Sequence, residues 1–130
     1  MSDKSGLDTQ LVDRLRFIKH KGCAIFIIDF SHTKVKESML LLDQIKEIVA
    51  RHDKGSMLIL ADFSGAEFDK NLGQRMKEVL AMDRPFVKKS AWVGTETLPH
   101  VFYENFKSFS QREFPVFKTR DEAMEWLVEE

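Results

Sequence analysis

Between Leu11 and Val128 the chain alternates short, almost wholly apolar runs with longer stretches in which apolar residues recur every three or four positions. The first kind of run predicts strands covered on both faces, the second helices with one buried stripe. Leu11 to Lys19 alternates imperfectly through Leu15 and Phe17 and predicts a half-buried strand. The turn residues His20-Lys21-Gly22 then lead into a second strand, Cys23 to Asp29, as an antiparallel hairpin. Val35, Met39, Leu42, Ile45 and Val49 predict a helix capped by Ser31 or Thr33 and stopped near Gly55. Met57 to Phe63 predicts a buried strand. Asp69 to Met82 predicts a second helix with Leu72, Met76, Val79 and Leu80 in its stripe, ended by Arg84-Pro85.

Val87 to Val93 predicts the next strand, closed by Gly94. Leu98 to Phe109 carries Val101, Phe102, Phe106 and Phe109 at helical spacing, with Pro99 tolerated in the first turn. Glu113 to Lys118 offers a short last strand in which Pro115 lacks a ladder donor, placing it at an edge or a strand start. Thr119 and Glu122 form a capping-box pattern ahead of a final helix containing Ala123, Met124, Trp126, Leu127 and Val128. The predicted order is ββαβαβαβα. Alternation after the first hairpin implies an α/β fold with a mixed, mostly parallel sheet. Residues 1–10 have no period and are expected to form a flexible tail before a single domain at 11–130.

Composition narrows the function. A formal net charge of −1 provides no global positive field, so no nucleic-acid partner is expected. Cys23 is the only cysteine, which excludes an intrachain disulfide and a CxxC pair. No apolar run approaches the roughly 20 residues of a membrane helix, and the first residues lack a signal pattern. A cytoplasmic location without a transmembrane segment is the expectation, with peripheral membrane contact left open.

Two strand ends share the tripeptide Asp-Phe-Ser: Asp29 to Ser31 and Asp62 to Ser64. Both aspartates are expected at the carboxyl ends of parallel strands, where open α/β sheets bind ligands. The plainer account is that each starts a loop by accepting from the following amides. Asp29 stands alone between Ile28 and Phe30, and Lys118 is not followed by proline, so a phosphate-accepting receiver constellation is incomplete. Paired carboxylates spaced by one residue, as a haloacid-dehalogenase-type phosphatase needs, are absent from both strand ends, and magnesium would find too few oxygens. His20, His32, His52 and His100 lack metal-ligand spacing, and no GxSxG elbow, P-loop or GxGxxG occurs. Neither a catalytic group, a metal nor a cofactor is expected.

The segments "LADFSGAEFDKNLGQ", "SAWVGTETLPHVFYENF" and "FKTRDEAMEWL", in this order, resemble the SpoIIAA-like branch of the STAS superfamily over about Leu11 to Leu127. The resemblance implies a mixed sheet with helices packed on it and kinship in fold to anti-sigma-factor antagonists and CRAL-TRIO lipid-transfer domains. In the antagonists a kinase phosphorylates a serine at the start of the helix after the central strand. Here Asp69 matches the preceding acid, but Lys70 and Asn71 stand where that serine would be and the spacing is one residue shorter. Ser64 lies too early in the loop, so the phospho-switch is missing.

A non-enzymatic binding or regulatory module is therefore the leading expectation, with a protein partner or an apolar, lipid-like small molecule as ligand. Its candidate residues are Asp29, Ser31, Asp62 and Ser64 at the strand ends, with Phe68, Leu72, Met76, Phe102 and Phe106 on and beside the second and third helices. Trp92 and Tyr103 add to that aromatic stripe, whose alternative is ordinary core packing. Two other classes stay open: a small hydrolase or phosphotransfer protein using Asp29 or Asp62, and a structural homodimer.

Overall fold

The computed structural model describes residues 11, 13–100, 102, 104–106 and 114–129. Among the described residues five strands form one mixed sheet in sequential order: β1 (Leu15–His20), β2 (Cys23–Asp29), β3 (Met57–Asp62), β4 (Val87–Val93) and β5 (Val116–Phe117). β1 and β2 pair antiparallel, and the remaining neighbours pair parallel. The hairpin closes through Lys21 and Gly22, at φ 52° and 82°, the double left-handed geometry of a tight two-residue turn. Helices α1 (Val35–Val49) and α2 (Lys70–Asp83) connect the central strands, and α3 (Arg120–Val128) follows β5. His100, Phe102 and Glu104 to Phe106 are also helical, and a short 3-10 turn, Arg84–Phe86, enters β4.

Strand alternation divides the core into two layers. Phe26, Ile28, Ile59, Ala61 and Trp92 face α1, α2 and Phe106, while Ile25, Ile27, Leu58, Leu60, Ala91 and Val93 face Ala123 and Leu127 of α3. Burial on both faces accounts for the unbroken apolar runs of β2 and β3.

The structure departs from the sequence expectations at several element ends. The first strand begins at Leu15 because the Arg14 amide donates to the Leu11 carbonyl at 3.0 Å, closing a turn where a strand was expected. Neither Ser31 nor Thr33 caps α1. Ser31 is bound to Asp29, and the Thr33 hydroxyl bonds the Phe30 carbonyl and Ser38. Lys34 occupies the cap position instead, its amide donating to Glu37 Oε1 at 2.9 Å. Asp69 is the N-cap of α2, accepting from the Leu72 amide at 2.8 Å. Thr119 caps α3 by accepting from the Glu122 amide, but Glu122 reaches back to the Lys118 amide, one residue beyond a capping box. Leu98 precedes the helical residues, which start at His100, while the expected tail 1–10, Val101, Tyr103 and Phe109 lie outside the described residues.

Candidate functional site

β2 and β3 are aligned so that Asp29 stands directly opposite Asp62. Both continue the Ile25-Ile27 and Leu58-Leu60 alternation, so both carboxylates emerge on the face that α3 covers. Each then makes the same loop. Asp29 Oδ1 accepts from the Ser31 amide at 2.9 Å and the Ser31 hydroxyl at 2.5 Å, and Asp62 Oδ1 accepts from the Ser64 amide at 2.9 Å and hydroxyl at 2.7 Å. The intervening Phe30 and Phe63 point to the other face and stack at 5.2 Å between centroids, 9° from parallel.

Two arginines, neither anticipated from the sequence, complete this rim. Arg120, the first residue of α3, donates from Nε to Asp62 Oδ2 at 2.8 Å and lies 3.3 Å from Asp29 Oδ1 through Nη2. Arg14, just before β1, donates from Nη1 to the carbonyls of Asp29 at 3.1 Å and Ser31 at 2.8 Å. Burial pushes the Asp62 carboxyl up, but the Ser64 amide and hydroxyl together with the Arg120 guanidinium outweigh it and hold the group below its ordinary value. Burial likewise lowers Arg120, and the two aspartates more than compensate, so its pKa is raised. A carboxylate with both oxygens engaged and its charge form favoured is poorly suited to accept a substrate proton.

Backbone bonds stitch the rim loops beyond the strand ends. The Phe30 amide donates to the Asp62 carbonyl at 2.8 Å, His32 to Ser64 at 2.7 Å, Phe63 to Val93 at 2.9 Å and Glu67 to Thr33 at 2.9 Å. His32 is exposed and left-handed, at φ 57°, and its ring lies where a Cβ on Gly65 would stand. Gly94, at φ 71°, brings its backbone so close that a Cβ there would sit 2.6 Å from the Ser64 amide nitrogen. The rim is a close-packed platform.

The nine sequence candidates separate into two groups. Asp29, Ser31, Asp62 and Ser64 come together at the rim. Leu72, Met76 and Phe106 are buried in the opposite layer with α1 and α2, and Phe68 and Phe102 pack half-buried against that layer. Phe106 lies 6.1 Å from both Trp92 and Phe68, and the Phe102 ring comes within 3.1 Å of where a Cβ on Gly73 would stand. This is filled space. A cavity of about 40 Å³ near Met76, lined also by Ile28, Leu42 and Ser90, has room for a few waters and not for a lipid chain.

The remaining histidines are dispersed. His20 meets Glu125 at 2.7 Å, His52 Nδ1 meets the Ile48 carbonyl at 2.9 Å, and His100 lies 3.9 Å from Glu104. Cys23 is half-buried. Among the described residues no group of three or more His, Cys, Asp or Glu is placed to share a metal ion, and no helix is long and apolar enough to cross a membrane. Sequence pattern does not single out Arg120, because 58 residues separate it from Asp62; the signal it carries is an arginine directly after a helix-capping threonine that itself follows a short strand. The chain matches no family model, no curated protein and no solved structure.

Proposed function

We propose that the chain is a non-enzymatic module of the STAS, SpoIIAA-like kind whose carboxyl rim docks a protein partner. The observation that carries this reading is Arg120 spanning Asp29 and Asp62. Once the guanidinium and the two serines have taken up the carboxylates, what the rim presents outward is a rigid loop surface with His32, Gly65 and Glu67 exposed. A surface held in one conformation before contact loses little ordering entropy on binding. A protein partner fits better than an apolar small molecule, because the aromatic stripe is packed and the cavity beside it, about 40 Å³, is too small for a lipid chain.

The test is affinity retention from the soluble extract of the native host. Immobilised wild-type protein is expected to hold a partner that the rim variant His32→Glu with Glu67→Lys releases. Met82→Gln, at the far end of α2, is expected to keep it. Equal retention by the rim variant, or nothing retained by any form, overturns the proposal.

A further inference from the structure

The two lateral borders of the sheet are treated differently. Among the described residues β5 is two residues long, which leaves that border few backbone groups for an added strand. β1 is six residues long, and among the described residues no strand pairs with its outer side. The Asp29 amide donates to the Arg14 carbonyl at 2.9 Å, which makes Arg14 and Asp29 a hydrogen-bonded pair of the antiparallel ladder. With the register continuing through Arg16 and Ile27, the backbone groups of Leu15, Phe17 and Lys19 therefore point outward.

Charge says what can lie there. From Arg14 to Lys21 every ionisable side chain is cationic or histidine, in a chain whose net charge is −1. Arg14 is committed to the Asp29 loop, and Lys21 and His20 to Glu125. Arg16 and Lys19 are exposed, one on each face of the strand, and make no ion pair among the described residues. Two copies joined border to border would set these cations against each other, which disfavours a second copy of this chain. Between them Phe17 is 46% exposed and stacks on Phe26 at 4.8 Å and His52 at 5.2 Å, a firm apolar step for a cross-strand neighbour.

We propose that the outer side of β1 accepts an extended acidic segment of a partner protein as a sixth strand, with carboxylates flanking Arg16 and Lys19 and an apolar residue against Phe17. Main-chain bonds supply the attachment and the cations select its charge. This surface is distinct from the carboxyl rim, and either can fail without the other.

The probe is a capped seven-residue peptide, Thr-Glu-Thr-Val-Glu-Val-Thr, which when antiparallel to β1 sets its glutamates opposite Lys19 and Arg16 and its central valine opposite Phe17, with its Lys-for-Glu counterpart as control, titrated into the isotope-labelled full chain. Without peptide, the amides of Leu15, Phe17 and Lys19 are expected to exchange with solvent at least tenfold faster than those of Arg16 and Ile18. The acidic peptide is expected to shift the first three and slow their exchange at least tenfold, the basic one to do neither. Arg16→Glu with Lys19→Glu is expected to reverse that preference while leaving the circular dichroism spectrum unchanged. Slow exchange at all five amides in the free chain, no response to the acidic peptide, or equal response to both peptides overturns the proposal.

Discussion

Arg120 donates to Asp62 across 58 residues of sequence, joining the start of the last helix to the end of the central strand at 2.8 Å. The same guanidinium lies 3.3 Å from Asp29, so the two facing carboxylates share one cation that enters from the face α3 covers. α3 thus closes its layer with charge at its first residue and with Ala123 and Leu127 further along. At its other end Lys89 donates to the carbonyls of Trp126 at 2.6 Å and Glu129 at 3.1 Å, with its ammonium 4.2 Å from the centre of the Trp126 ring.

Arg120→Ala would leave two opposed aspartates without that cation. A fully buried pair broken this way costs about 3–5 kcal/mol, and the guanidinium is about a third in solvent, so a loss of roughly 2 kcal/mol is expected. Urea unfolding measures it. Adding Asp62→Asn to the alanine variant should cost less than Asp62→Asn costs alone, because the charge being removed has already lost its partner.

Stability should also depend on pH through Asp62. Its folded-state pKa lies below the ordinary aspartate value of about 3.9. The stabilisation is therefore fully present above that value and is lost as pH falls through the lower, folded-state pKa, because the unfolded chain takes up the proton first. Urea midpoints of wild type and Asp62→Asn should differ most near pH 6 and draw together near pH 3. A gap that stays constant or widens on acidification would show that the carboxylate is not stabilised by its neighbours.

Much of this arrangement was legible from residue patterns, and its limits are physical. Unbroken apolar runs located β2 and β3 because both faces of those strands are covered, and β4 showed only through Ala91 to Val93 after its two lysines. Pro115 marked a border strand because it cannot donate to a ladder. The strand and helix alternation already put both acids at the carboxyl edge of the sheet, whereas their sharing one face follows from the register that sets Asp29 opposite Asp62. Which helix would cover that face was not readable, since covering is decided by packing across the whole sheet. For the same reason the acids and the Leu72, Met76 and Phe106 stripe were expected to share a site, when the sheet stands between them. Ser31 and Thr33 looked like caps by type, but their hydroxyls bond within the rim loop and to Ser38.

Gly94→Ala and Gly22→Ala should separate conformational strain from collision. Both glycines are left-handed, at φ 71° and 82°, so both substitutions carry about 1 kcal/mol of backbone cost. Around Gly22 a Cβ would meet nothing within 4 Å, whereas at Gly94 it meets the backbone of Ser64. Gly22→Ala should lower stability by about that 1 kcal/mol, and Gly94→Ala by roughly 2–4 kcal/mol with disturbance of the Asp62 loop. Thermal unfolding with amide shifts at Ser64 checks both parts.

The aromatic stripe yields the sharpest contrast between packing and a ligand groove. Phe106 is fully buried among Trp92, Phe68 and the α2 stripe, so Phe106→Ala should remove packed volume and cost about 3–5 kcal/mol. Phe17 keeps 46% of its surface in solvent, and Phe17→Ala should cost about 1 kcal/mol, scaled from full aromatic burial. If the stripe lined an open groove, Phe106 would already be wet and its truncation would cost no more than that of Phe17. Chemical denaturation of both variants gives the ratio directly, and equal losses would return the stripe to the category of a ligand wall.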